Sequence, residues 1–428
     1  MLYKALDIIP FEIFLFLFVG KPAPPESLID RNAIVNKLVK DISNPSIQPG
    51  FALVGYRRIG KTSILDKVKK ELEDKGLVVI YFDVKERMAD PESFLTDLEG
   101  EILKEYRNQI SRLSRAKLKI SEAKKLVMDK ISDVVSSVED VGVEVSPDGT
   151  ITPKIHFGEG KDRKARDYGK QFRSVFKTAG MVAEKSGKRV VLMLDEFQDL
   201  VKLNEFAGIR DVVSLYRGVL QRRGNVVHII SGSRVHMLRN MLDSKDSPLY
   251  QHFVVEDVKE LEPADARKLF ITVFKSRNPE YGHTEQEERK GDELDVHANE
   301  AVEIVGGNPF YLTVMAQEWD GKTSLQHIFD ELISPPAGTL YIYTNYVLAE
   351  DLTTAKGGPM LKKIVREMAV AASPIEASEI VKRVHKTQNY LQFYLDQLVK
   401  FDVIRSAGRG LYVLVDPVIS RCLRKNYA

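Results

Sequence analysis

Cysteine is almost missing from this chain of 428 residues. Cys422 stands alone, so no disulfide can close within the chain, and a reducing cytoplasm is the simplest setting. The eight histidines are scattered without ligand spacing, which predicts no structural metal. Charge of one sign is missing too: 63 Lys and Arg face 61 Asp and Glu, a net of +2, too mild to argue for nucleic acid on bulk electrostatics. Long hydrophobic runs are also scarce. Ile13-Phe-Leu-Phe-Leu-Phe-Val-Gly20 is apolar, but Glu12 precedes it and it is far shorter than the roughly 20 residues a membrane span needs. No small-x-small cleavage site precedes the prolines at 22, 24 and 25, so residues 1–20 are expected to be a packed or partly disordered leader without membrane contact.

What is present is a globular composition, 43% hydrophobic and 29% charged, enough for two or three domains with proper cores. The strongest signal is Gly55-Tyr-Arg-Arg-Ile-Gly-Lys-Thr62, which fits the phosphate-binding pattern G-x-x-x-x-G-K-[ST]. It follows the apolar run Phe51–Val54, which reads as a buried strand. It precedes Ile64, Leu65, Val68 and Leu72, apolar at helical spacing until Gly76. Gly55 and Gly60 let backbone N–H groups converge on an anion at a helix N-terminus. Lys61 adds a point charge, and the Thr62 hydroxyl is offered to Mg²⁺. The predicted nucleotide-binding set is Gly55, Tyr56, Arg57, Arg58, Ile59, Gly60, Lys61, Thr62 and Ser63.

A second stretch, Arg189–Leu194, is an unbroken apolar strand ending in Asp195-Glu196. Asp195 is expected to hold Mg²⁺ with Thr62, and Glu196 to orient and deprotonate a water. The pairing favours ATP hydrolysis over binding alone. A further strand, Val226–Ile230, leads into Ser231-Gly-Ser-Arg234 at the same sheet edge, where α/β ligand sites collect. Two readings stand side by side: Ser231, Ser233 and Arg234 attend the γ-phosphate or its water, or Ser and Gly turn the chain and Arg234 is solvated.

The remaining elements alternate. An amphipathic helix is expected from Leu28 through Ile42, then a strand at Leu77–Phe82, a helix from Pro91 to about Arg107, a helix at Gln171–Ser186, one from about Ile209 to Arg222, and a fifth strand at Phe253–Val255. Alternating strand and helix predict a parallel, doubly wound α/β sheet. Residues 108–166 interrupt the rhythm: a lysine-rich helical segment, then a hairpin formed by Val141–Val145 and Ile151–Phe157 about the turn Ser146-Pro-Asp-Gly149. After Leu261 the chain turns helical, with Ala264–Phe274, Leu294–Val305, Phe310–Trp319 and Leu325–Ile333 separated by a polar loop at 275–292. Further on, Ser373, Pro374 and Glu376 predict a capping box opening a helix to Val384. A helix Thr387–Phe401 and a hairpin with Gly408-Arg-Gly410 at its tip follow, and these elements predict a winged helix.

Five motifs in order resemble the archaeal ATPase family, of the signal-transduction (STAND) branch of AAA+-type P-loop ATPases. They are the phosphate loop with Arg57-Arg58, Leu192-Met-Leu-Asp-Glu196, Ser231-Gly-Ser233, Leu261-Glu-Pro263 and Gly306-Gly-Asn-Pro309. The resemblance spans most of the chain from Lys21. It implies a five-stranded ASCE-like sheet with Walker A and Walker B motifs over 21–258, a helical lid over 259–350 and a winged helix over 355–428. It further implies that Asn308 and Pro309 approach the adenine and that Asp30 and Arg31 flank it. This chain lacks an asparagine at the fourth-strand tip, so an arginine finger is left open, with Arg234, Arg239 or a partner as its candidate sources.

From Leu361 onward, twelve Lys or Arg face six Asp or Glu, and Arg405 and Arg409 sit where a wing would touch phosphates. The presumed recognition helix instead offers Gln388, Gln392, Asp396 and Lys400, so DNA contact and protein packing stay open alternatives. The expected function is a slowly hydrolysing ATP switch using ATP or ADP and Mg²⁺. A DNA-binding initiator or regulator gated by ATP is the alternative, and a protein partner and the oligomeric state are left open.

Overall fold

The computed structural model describes residues 25, 28–46, 50–115, 141–145, 151–155, 168–206, 209–221, 225–278, 287–352, 357–371 and 374–428. The leader 1–20, the lysine-rich stretch 116–140, the turn 146–149 and Ser373 lie outside them. Among the described residues no helix is long and apolar enough to cross a membrane. Two compact units emerge. One runs to Tyr56 and resumes over Lys61–Val258; the other holds the loop tip Arg57–Gly60 and Lys259–Ala428.

In the first unit, helix α1 (Asn32–Ser43) leads into strand β1 (Gly50–Val54), and α2 (Lys61–Asp74) precedes β2 (Val78–Asp83). Helix α1 starts four residues later than the pattern from Leu28 predicts. Asp30 and Arg31 hold φ of 55° and 79°, a left-handed backbone that a right-handed helix cannot include. Helix α3 (Pro91–Arg115) runs eight residues beyond the predicted end at Arg107. Its start is fixed by Asp90, whose Oδ1 accepts the N–H groups of Glu92 and Ser93 at 2.9 and 3.0 Å. Its apolar stripe Phe94, Leu95, Leu98, Ile102 and Leu103 is buried as predicted, and Tyr106 extends it.

The predicted hairpin is present: β3 (Val141–Val145) pairs antiparallel with β4 (Ile151–Ile155). Helix α4 (Tyr168–Ser186) then leads to β5 (Val190–Asp195) and a 3-10 helix (Phe197–Glu205). Helix α5 (Val212–Leu220), strand β6 (Val226–Gly232), α6 (Val235–Asp243) and β7 (Phe253–Asp257) complete the unit.

The five-stranded sheet is parallel throughout, in the order β2-β5-β6-β1-β7. Strands β1 and β5 are buried at every position, as a sheet covered on both faces requires. Because β1 lies between the two strands formed last, the loop after Val54 opens where the strand order reverses, the place where such sheets gather ligands.

The second unit is mostly helical: α7 (Pro263–Arg277), α8 (Glu287–Val305), α9 (Pro309–Glu318), α10 (Leu325–Leu332), α11 (Thr339–Leu352) and α12 (Gly358–Val370). The predicted polar loop at 275–292 is shorter than expected. Helix α7 continues to Arg277, and α8 begins at Glu287, where charged residues continue the helix that buries Leu294, Ala298, Ala301 and Val305.

The predicted capping box is also corrected. Ile375 and Glu376 form a short strand β8, and α13 (Ala377–Val384) begins after them with no side-chain cap from Glu376. Strand pairing wins here because β10 (Leu411–Leu414) lies antiparallel to both β8 and β9 (Ile404–Gly408), giving the order β8-β10-β9. Helix α14 (Gln388–Lys400) buries Leu391, Tyr394, Leu395 and Leu398 as predicted. Helix α15 (Pro417–Tyr427), capped by Asp416 through the N–H groups of Val418 and Ile419, closes the chain.

Candidate functional site

Strand β1 stops at Val54, and α2 begins at Lys61 with its positive dipole end toward the intervening loop. Gly60 adopts φ 96° and Arg58 φ 61°, the left-handed turns that let the loop fold over the helix N-terminus. Ile59 is buried and anchors it. Lys61 is only 5% exposed, and its ammonium donates to the carbonyls of Gly55 and Tyr56 at 2.8 and 2.9 Å, which holds the charge at the loop's concave side. Ser63 is buried beside it on α2.

At the carboxyl end of β5, Asp195 is 2% exposed and has its acceptors filled from four directions. Thr62 Oγ1 and the Tyr81 hydroxyl donate to Oδ2 at 2.8 and 3.0 Å. The Ser231 hydroxyl and the Glu196 N–H donate to Oδ1, the latter at 3.0 Å. Such donors replace the water that a buried carboxylate has lost. Burial and then the neighbouring Asp195 charge push the Tyr81 phenol far up, so it remains a donor.

Glu196 faces another way. It sits at φ 51°, the left-handed start of the 3-10 helix, so its side chain departs from the strand's alternation. Its Oε2 accepts the Ser233 N–H at 3.0 Å, the Ser233 hydroxyl at 2.7 Å and Gln198 Nε2 at 2.5 Å. Burial by itself pushes the Glu196 carboxyl up, but the Lys61 charge and those three donors outweigh burial and hold it below the usual range. Gly232 makes the approach possible: a Cβ there would lie 2.0 Å from the Gln198 side-chain oxygen.

The structure therefore gathers Thr62, Asp195 and Ser231 in one hydrogen-bonded set, and Glu196, Ser233 and Gln198 in an adjoining one that feels the Lys61 charge. The two serines attend different acids. Arg234 occupies the position just before α6 and caps nothing with its side chain. Arg239 is committed elsewhere, to Asp243 at 3.0 Å and to Asp257, which argues against it as an arginine finger. Arg31 is buried, 3.7 Å from Asp30.

In the second unit, Asn308 caps α9 by accepting the Phe310 N–H at 3.0 Å, and Pro309 takes the first helical position. Gly307 is required there, because a Cβ would lie 2.3 Å from the Leu261 carbonyl. The loop tip belongs to this unit: Arg57 bonds Glu350 at 3.0 Å, and the Arg58 guanidinium lies 5.4 Å from the Phe310 ring centre.

Three participants escaped sequence reasoning. Tyr81 and Asp83 stand on β2, whose register sets Asp83 beside Asp195. The available signal is the one hydroxyl, that of Tyr81, inside the otherwise apolar run Leu77–Phe82. Asp83 is pushed up to about 6, first by burial and then, against a bond from the Glu86 N–H, by the charges of Asp195 and Glu196. Gln198 lies within the 3-10 helix, for which the sequence shows no periodic sign.

The model of a family described as an ATPase domain predominantly from Archaea matches residues 28–315, about two thirds of the chain. The chain belongs to this archaeal ATPase family. The matched span contains the Gly55–Thr62 loop and the paired acids Asp195 and Glu196. No curated protein matches the chain in sequence. Among solved structures, a Walker-type ATPase of Pyrococcus abyssi is similar at 21% identity and TM-score 0.60, with 95% of this chain and 99% of that one covered. The ADP form of the ORC2 protein of Aeropyrum pernix aligns at 12% identity and TM-score 0.47, covering 96% of this chain and 98% of that one. Of the two, only the first, with its TM-score above 0.5, bears on the fold, and it agrees with the five-stranded parallel sheet.

Proposed function

We propose that this member of the archaeal ATPase family binds ATP with Mg²⁺ and hydrolyses it slowly, as a STAND-type molecular switch of the cytoplasm. The observation that carries the reading is the convergence of Lys61, Thr62, Asp195 and Glu196 at one edge of the sheet. The oxygen-only pair of Thr62 and Asp195 suits Mg²⁺, which when bound would neutralise charge on the phosphates. Gly55–Ser63 cradles the phosphate chain, and Lys61 turns from its loop carbonyls toward it. Asp30 and Arg31 flank the base. Glu196 positions the attacking water and takes its proton.

Slow turnover follows from the state of that base. Its Oε2 already accepts three hydrogen bonds and its carboxyl is held below the usual range, so it takes a proton reluctantly. Turnover would rise when Ser233 and Gln198 let go of it. Switching is supported by the loop tip, because Arg57 and Arg58 engage Glu350 and Phe310 in the helices after Lys259. A change in that loop on nucleotide binding is then felt along the lid (259–350) and the winged helix (355–428). The decisive measurement is ATP turnover by the purified chain: well below one per second unaided agrees, and tens per second refutes the switch reading.

A second reading has its own observation. On the exposed side of α14, Tyr390 and Phe393 are 44% and 50% exposed, and Arg405 and Arg409 are exposed on the neighbouring hairpin. Rings beside cations suit nucleic acid, so an ATP-gated DNA-binding regulator is the alternative. A gel shift of the full chain, weakened by salt and by Arg405→Ala with Arg409→Ala, would favour it.

A further inference from the structure

The amino-terminal edge of the sheet, opposite the phosphate loop, holds a cavity of about 700 Å3. It is framed by α4 and α5 and by the first residues of β1 and β6, Gly50 and Val226. That volume falls in the range of small-molecule sites. Its walls are apolar where Phe176, Met181, Val219 and Leu220 line it.

Three polar features are placed as a recognition set. Arg173 and Lys177 are one turn apart on α4 and both line the cavity, and neither forms an ion pair with a described residue. Like charges at this spacing repel, so the helix gains nothing from them on its own account. Deeper in, His228 is 7% exposed. Its Nδ1 is 2.8 Å from the Tyr216 hydroxyl, which fixes the ring and leaves Nε2 to the cavity. Phe176 stacks on the same imidazole at 6.3 Å between centres. Burial lowers its pKa to about 4, so the ring is neutral. Glu184 and His252 are the other ionisable groups of the lining, so Arg173 and Lys177 face a single carboxylate there.

One more feature separates this cavity from a packing gap. Gly180 lies inside α4, where glycine is the least favourable residue after proline. A Cβ at that position would meet nothing within 4 Å. No neighbour demands a glycine there, and its effect is to keep the cavity open.

We infer that this cavity binds a flat organic acid, its carboxylate between Arg173 and Lys177 and a hydroxyl or ring N–H at its far end on His228. The site is independent of the nucleotide site. The probes are 4-hydroxyphenylacetate, phenylacetate, which lacks the hydroxyl, and 4-hydroxyphenylacetamide, which lacks the charge. Calorimetric titration of the full chain should show one saturable site for the first, at least tenfold weaker binding of each analogue, and loss of the charge preference in Arg173→Gln/Lys177→Gln. Gly180→Phe, which fills the space without a backbone clash, should abolish binding with the melting temperature kept. Should that variant not fold, the double glutamine exchange carries the test alone. The inference is overturned by absence of saturation up to millimolar probe, by equal binding of the acid and its amide, or by undiminished binding in folded Gly180→Phe.

Discussion

The two edges of the parallel sheet are made from the same strands yet carry opposite chemistry. At the carboxyl edge, β2, β5 and β6 end in Asp83, Asp195 and Gly232, and every acceptor of Asp195 is met by a donor from another element. At the amino edge β1 and β6 begin beside an open space lined by the His228 imidazole and by Arg173 and Lys177 of α4. Aliphatic residues in the middle of each strand are fixed by burial on both faces, so chemistry is confined to the ends. The carboxyl edge is tightly satisfied and the amino edge is roomy. A preorganised charge site needs the first, and a site for an organic body needs the second.

The comparison is broken most forcefully at the carboxyl edge. Glu196→Gln should keep ATP binding while lowering hydrolysis by about 10²–10⁴-fold, the span of a lost general base. Lys61→Ala should weaken binding itself. Titration with ATP and a phosphate-release assay on both variants separate the roles, and equal loss of binding in the two would refute the division. Next in size is Tyr81→Phe, which deletes one donor to buried Asp195 and should cost about 1–3 kcal/mol in urea unfolding. A cost near zero would mean that the carboxylate is not held by that phenol.

The legible part of this molecule was the part written in local pattern. The Gly55–Thr62 loop declares itself because a phosphate cradle needs glycine, lysine and a hydroxyl at fixed spacing. The run before Asp195 declares a buried strand through its unbroken aliphatics. Tyr81 and Gln198 were invisible because their meaning is set by lateral register and by a 3-10 turn, neither of which leaves a period in the sequence. The capping box at 373–376 was misjudged for the opposite reason: a local signal was overridden by pairing with β10, some thirty-five residues on in the chain. Helices α11, α12 and α15 are not predicted from the sequence, the first for want of a clear apolar face.

The two edges should also differ in sign when pH is varied. Asp83 is raised from 3.8 to about 6, so the fold favours its protonated form. The stability it contributes is present below 3.8 and lost as pH climbs through 6. His228 is lowered from 6.5 to about 4, so its contribution is present above 6.5 and lost as pH falls through 4. Asp83→Asn should therefore gain stability relative to the parent above pH 6, and His228→Gln should lose less than the parent between pH 6.5 and 4. Each effect is roughly 1–3 kcal/mol at full extent. Urea midpoints across pH 4–8 check both, and a same-sign response would dissolve the contrast.

The smallest and sharpest comparison is between two glycines, one from each edge. A Cβ added to Gly60 or to Gly180 would meet nothing within 4 Å, so space does not distinguish them. Backbone does. Gly60 holds φ 96°, a conformation that L side chains rarely adopt, whereas Gly180 lies inside a regular helix. Alanine at 60 must strain the loop and should destabilise by about 1 kcal/mol or more, while alanine at 180 should stabilise by about 0.5–1 kcal/mol, through helix propensity and a less free unfolded chain. Paired urea midpoints on the two variants measure the difference. If Gly180→Ala instead destabilised, the helix would need its glycine for packing, and the open space at the amino edge would lose its meaning as a site.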